Sequence, residues 1–159
     1  MMRALLFLLL ASIATPALAQ PRITEPQVRA FVARQEQLWN AGDLARYFAA
    51  YTPDARFTDQ AYAGDKPPVR YGTSTLAQAL SLSRKAAKVL PRETGRIVQI
   101  AVAADGRSAR VESNLVSTVG AHQTCAARVQ TLVLSKGQLR STGQTDTYIR
   151  CRAKRPLPG

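Results

Sequence analysis

The chain runs to 159 residues with two cysteines and a formal net charge of +12, from 22 Lys and Arg against 10 Asp and Glu. That length fits one ordinary domain, able to bury a core without metals or many disulfides. Charge alone would point to nucleic acid, but the basic residues are scattered outside Arg84-Lys85-Lys88 and the Arg150-Arg152-Lys154-Arg155 end, and neither group is interleaved with aromatic residues on which bases stack, so no nucleic-acid partner is expected.

Arg3 opens an apolar run, Ala4 to Ile13, that is too short to span a bilayer, and Ala17-Leu18-Ala19 has the small-x-small form that signal peptidase cuts. Residues 1–19 therefore read as a cleaved signal peptide, with Gln20 as the mature start of an exported protein, periplasmic or secreted. No second apolar run follows, so no transmembrane segment is expected after cleavage. Residues 20–153 read as a single domain, and 154–159 as a flexible basic tail.

Thr24-Glu25-Pro26-Gln27 opens the first helix: Thr24 caps it, Gln27 reaches back three residues, and Pro26 is tolerated in the first turn. Its apolar stripe is Val28, Phe31, Val32, Leu38 and Trp39, with Gln35 in the middle. Asn40-Ala41-Gly42 breaks it. Asp43 caps a second helix whose inner face is Leu44, Tyr47, Phe48 and Tyr51, ended by Thr52-Pro53-Asp54. Ala55 to Asp59 alternates as a strand, which puts Ala55, Phe57 and Asp59 on one face. Gln60 to Tyr71 reads as a loop, and Thr73 to Lys88 as a third helix with the weak stripe Leu76, Leu80 and Ala87.

From Thr94 the pattern turns to alternation, with Val98, Ile100 and Val102 ahead of an Asp105-Gly106 hairpin turn. Val111, Leu115 and Val119 follow, then a strand to Leu134, a Lys136-Gly137 turn and a last strand, Leu139 to Arg150. Three helices followed by an antiparallel meander define an α+β domain. In an oxidising compartment Cys125 and Cys151 pair by default. Register opposes this: a Lys136-Gly137 hairpin sets Cys125 opposite about Tyr148, leaving Cys151 three residues on and on the other face. A bulge, or a chain leaving the sheet near Arg150, is needed to bring the two Cα atoms within about 7 Å.

The stretch Trp39-Asn40-Ala41-Gly42-Asp43-Leu44, followed by Tyr51-Thr52-Pro53-Asp54-Ala55-Arg56-Phe57-Thr58-Asp59, resembles the signature of the nuclear transport factor 2-like superfamily. That superfamily includes ketosteroid isomerase, scytalone dehydratase and the SnoaL-like polyketide cyclases. The resemblance covers Thr24 to about Arg150. It implies three N-terminal helices on a curved antiparallel sheet, a cone enclosing an apolar cavity, and it permits a homodimer. It is specific for fold and not for function, because this scaffold hosts enzymes, binding proteins and interaction modules.

Through the resemblance, the isomerase's catalytic aspartate falls on Asp59, in agreement with the strand alternation. Its two oxyanion donors, a tyrosine and an aspartic acid kept protonated by its apolar surroundings, fall on Gln35 and Gln130. Glutamine donates a hydrogen bond but is a weaker proton donor than either. Asp59 is thus either a general base or a strand-end acceptor for loop amides. Gln35, Gln130, Trp39, Tyr62 and Tyr71 are candidate ligand-binding residues; Trp39 also fits the core with Tyr47 and Tyr51. His122 falls at a turn, and Asp146 shares a face with Tyr148, where an ion pair on the sheet surface is expected. One histidine, no clustered ligands and no Gly-rich phosphate loop indicate no metal or cofactor.

Two functions remain open: a non-catalytic protein whose cavity takes a small apolar ligand, or whose surface meets an envelope protein or an anionic envelope surface; and an isomerase- or dehydratase-like enzyme with Asp59 as base.

Overall fold

The computed structural model describes residues 21–151. The expected signal peptide, 1–19, and tail, 154–159, lie outside the described residues. The elements run α1 (Glu25–Asn40), α2 (Leu44–Ala49), β1 (Tyr51–Ala61), β2 (Val69–Thr75), α3 (Leu76–Lys85), a short 3-10 turn (Ala87–Val89), β3 (Arg92–Val102), β4 (Ser108–Val119), β5 (His122–Ser135) and β6 (Gln138–Ile149). One curved six-stranded sheet has the order β2-β1-β6-β5-β4-β3.

Three expectations change here. The third helix follows two strands instead of one, because Val69–Thr75, read as loop and helix start, pairs as an edge strand with β1 and only Leu76 onward is helical. The sheet is mixed: β1 lies parallel to β6, all other pairs being antiparallel. Tyr51 also moves from the second helix to the first residue of β1. Its spacing from Tyr47 fits a helical stripe, yet α2 ends at Ala49 and Ser141 N–H donates to Ala50 O at 2.9 Å, which starts the sheet there.

Local signals explain the helix ends. Thr24 N–H donates to Gln27 Oε1 at 2.9 Å, and Asp43 Oδ1 accepts from Arg46 N–H at 3.1 Å. Gly42, at φ +69, takes the left-handed turn between the two helices. The C-terminal half of α1 then covers edge strand β3. Asn40 exchanges two hydrogen bonds with the Glu93 backbone at 2.7 and 2.8 Å, and Glu36 Oε2 accepts from Gly95 N–H at 2.8 Å. Those side chains stand in for a missing neighbouring strand.

The apolar interior is split into two clusters. Ile23, Val28, Ala109, Val111 and Leu132 form one, with Phe31, Val32, Ile97 and Ile100 packed against it. Leu44, Tyr47, Phe48, Tyr51 and Ala55 form the other, joined by Trp39, Phe57 and Leu90. On β3 the inward residues are Ile97 and Ile100, while Val98 is exposed, contrary to simple alternation; Val102, on the face of Ile100, is exposed at the strand end. A register shift between Ile97 and Gln99 leaves Val98 unpaired and reverses the parity.

A second register shift, between Thr131 and Leu132, leaves Thr142 unpaired on β6. Cys125 therefore faces Ile149, one place further than an unbroken hairpin allows, and Cys151 lies two residues beyond on the matching face. The bridge Cys125–Cys151 forms with a Cα separation of 5.1 Å.

Candidate functional site

Cross-strand pairing aligns Gly72, Asp59, Asp146, Arg128 and Ser113 in one row across five strands, so all five share the face on which α1, α2 and α3 pack. Asp59 and Phe57 point inward together, as the alternation of β1 requires. They line a cavity of about 440 Å³ between this face and the helices, walled by Trp39, Tyr47, Phe48 and Tyr148 and floored by Glu93, Arg128 and Asp146. Gly72 lies against the aspartate: a Cβ there would stand 3.4 Å from Asp59 Oδ2, at contact distance.

The floor is an ion cluster inside the molecule. Arg128 donates from Nε and Nη2 to the two Asp146 oxygens at 2.7 and 2.8 Å, and from Nη1 to Glu93 Oε2 at 3.1 Å. The three side chains are 13%, 11% and 11% exposed. The ion pair expected for Asp146 thus exists, but within the cavity and not on the outer sheet surface. Desolvation raises the Glu93 carboxyl, with Arg128 opposing. Arg128 lies two residues from Gln130, a position already placed inward; the same parity predicts its direction, and its partners 18 and 35 residues away are what no local pattern reveals.

Asp59 is half-buried, and burial followed by the neighbouring Asp146 charge pushes its carboxyl upward, with Tyr148 and then Arg128 pulling the other way. Burial and the Asp59 charge in turn raise the Tyr148 phenol to about 12. Behind the floor runs a hydrogen-bonded chain. The buried Tyr51 hydroxyl donates to Gln144 Oε1 at 2.8 Å, lies 3.1 Å from the Tyr47 hydroxyl, and accepts from Gln130 Nε2 at 3.3 Å; Gln144 Nε2 donates to Asp146 Oδ2 at 3.3 Å.

The expected site residues divide into three places. Asp59 and Trp39 line the cavity, and Trp39 Nε1 donates to Pro91 O at 2.9 Å. Gln35 and Gln130 are both buried and meet in a separate space of about 30 Å³, walled off by Tyr47, Glu93, Leu115 and Arg128, which face both spaces. Gln35 Nε2 donates weakly to Tyr47 O at 3.4 Å while its Oε1 is buried without a protein partner. Tyr62 and Tyr71 are exposed, at 58% and 64%, and do not line the cavity; Tyr71 leans on Tyr148 with ring centroids 6.1 Å apart. Among the described residues no cluster of three His, Cys, Asp or Glu has metal-holding geometry.

A helix-covered, mixed six-stranded sheet around an inner cavity defines an α+β cone. The chain has the nuclear transport factor 2-like fold. An NTF-2-like protein of unknown function from Shewanella oneidensis MR-1 superposes with a TM-score of 0.61 at 14% identity, over 77% of this chain and 97% of that one. The beta subunit of a putative aromatic-ring-hydroxylating dioxygenase from Novosphingobium aromaticivorans DSM 12444 gives 0.60 at 16%, over 80% and 90%. A ketosteroid isomerase-like protein from Erwinia carotovora atroseptica SCRI1043 gives 0.58 at 14%, over 79% and 96%. At these identities the likeness is one of fold. No protein-family model matches the chain, and no curated protein is significantly similar to it.

Proposed function

We propose that this is an exported single-domain protein whose cavity binds a small ligand of largely apolar surface without catalysing its conversion. One observation carries the reading: Asp59 faces a cavity of about 440 Å³, whereas Gln35 and Gln130 lie behind its wall. An Asp59 base cut off from both donors that the resemblance assigns to it lacks the oxyanion hole from which enolisation draws much of its rate. The cavity size and its aromatic walls suit a small-molecule site. Export is supported by the reading of residues 1–19 and fits the Cys125–Cys151 bridge. Among the described residues no helix is long and apolar enough to cross a membrane.

The isomerase- or dehydratase-like alternative keeps one specific support, the upward-shifted Asp59 carboxyl on the cavity wall. The two readings separate in one experiment. The neutral fluorescent probe N-phenyl-1-naphthylamine should bind Asp59→Asn at least as tightly as wild type, and should lose affinity when Ser117→Phe narrows the cavity. Isomerisation of a β,γ-unsaturated ketosteroid that Asp59→Asn abolishes would establish the enzyme instead.

A further inference from the structure

We infer that the ligand of this cavity is cationic: an organic amine whose ammonium group is held by Asp59 while its apolar body lies along the aromatic wall. The inference rests on the binding reading above and names the chemistry that the same site selects.

The charge inventory points this way first. The chain carries more than two basic residues for every acidic one, yet among the described residues its cavity reverses that balance, with Asp59, Glu93 and Asp146 against Arg128 alone. That cation is already committed. Its Nε and Nη2 are taken by Asp146 in a two-pronged pair and its Nη1 by Glu93, so Arg128 is held to the floor by groups of opposite charge and is poorly placed to capture an incoming anion. An anionic ligand would meet a net negative surface in a half-closed site, where Coulomb repulsion is far less screened than in water.

The unused acceptors point the same way. Asp146 accepts three hydrogen bonds, two from Arg128 and one from Gln144. Glu93, 9% exposed, has Arg128 on Oε2 and receives no donor on Oε1 among the described residues. Asp59 sits directly across from Asp146 on the adjacent strand, about 4.8 Å away at sheet spacing; the Tyr148 phenol is beside it, but among the described residues no positively charged side chain forms an ion pair with it. Two carboxylates this close, one paired and one not, leave an uncompensated negative charge on a wall with apolar neighbours. A neutral ligand would bury that charge further. An ammonium neutralises it.

The walls complete the match. Trp39, Phe48, Phe57 and Tyr148 line the same space as Asp59, and the negative ring faces attract a cation at short range while the ring bodies bury an apolar chain. Ring and carboxylate together distinguish an amine from both an alcohol and an acid of the same size.

Trp39 is the only tryptophan and stands in the wall, so its fluorescence reports occupancy. The mature chain is titrated at pH 7 with 4-phenylbutylamine, 4-phenylbutan-1-ol and 4-phenylbutyrate. The amine is expected to bind about tenfold or more tighter than the alcohol, the worth of one charge-assisted contact, and the acid more weakly than either. Asp59→Asn is expected to reduce the amine's advantage to about threefold or less while leaving alcohol binding in place; circular dichroism confirms that the variant folds. Equal binding of amine and alcohol, or tighter binding of the acid, overturns the inference and leaves the cavity reading standing. Retention of the full preference in Asp59→Asn overturns it too. Failure of all three probes to bind overturns both.

Discussion

Asp59 carries a charge that its own surroundings disfavour. Burial and the Asp146 carboxylate raise its folded pKa above the ordinary aspartate value of about 4, so the fold favours the protonated form. The linkage sign follows: the stability this group contributes is complete below the unfolded pKa and is lost as pH rises through the folded one. Asp59→Asn should therefore be more stable than wild type at pH 7, by up to ~1 kcal/mol because partial exposure screens the repulsion, and the gap should close toward pH 4. Paired urea titrations at the two pH values measure it; a variant less stable at pH 7 would show that Asp59 is held by contacts that outweigh the repulsion. Gln35 makes the complementary case. Its buried Oε1 has no protein partner, and the hydrogen bond from its Nε2 is long, at 3.4 Å, to a carbonyl that also accepts from Ala50 N–H. Gln35→Met should thus hold or raise the thermal midpoint, since it removes an unsatisfied polar atom at nearly constant volume. A marked fall would mean that the amide's polarity is required.

At the scale of elements, one glycine governs how β1 and β6 meet. Gly143 sits at φ +140 next to the unpaired Thr142, and a Cβ there would lie 2.0 Å from the Arg56 backbone oxygen. No flexible side chain can yield at such a contact. Gly143→Ala should cost ~3 kcal/mol or more, combining backbone strain with overpacking, read as a drop in denaturant midpoint. A cost under ~1 kcal/mol would show that the parallel β1–β6 pairing shifts freely. The same irregularity decides the disulfide, because the skipped residue moves Cys125 into register with Ile149 and so with Cys151. Alternation in the sequence could state that a bulge was needed and could not say where, since Thr142-Gly143 has no apolar pattern to interrupt. Val98 shows the converse failure: Val98 and Ile100 alternate well, yet the extra residue on β3 exposes Val98 and puts Ile97 on the inward face with Ile100. Asp59 was legible because it alternates with Phe57 on the regularly paired stretch Arg56 to Asp59, between two register shifts of β1. The burial of Gln35 and Gln130 was legible by the same means, but their separation from the cavity was not, because the wall between is made by Tyr47, Leu115, Glu93 and Arg128 from four different elements.

Across the whole molecule, two apolar clusters lie on either side of a polar seam, Tyr51–Gln144–Asp146–Arg128–Glu93, that links β1, β6, β5 and β3. A buried ion cluster of this kind is weak as a source of stability, since desolvating its charges offsets most of their attraction. It is nonetheless a severe constraint, because removing one member strands the others. Arg128→Met leaves Asp146 and Glu93 facing each other without a counter-charge and should cost about 3–5 kcal/mol at pH 7. The cost should shrink on acidification, because the stranded carboxyls, raised by burial and mutual repulsion, take up protons in the fold more readily than in the unfolded chain. Replacing all three together, with Glu93→Gln and Asp146→Asn added to Arg128→Met, should recover much of the loss, since no charge is then left uncompensated. Urea unfolding of the single and triple variants at pH 4.5 and 7 separates the two accounts. If the single variant is as costly at pH 4.5 as at pH 7, or the triple variant is no better than the single, the guanidinium matters for its packing between the two clusters and not for its charge.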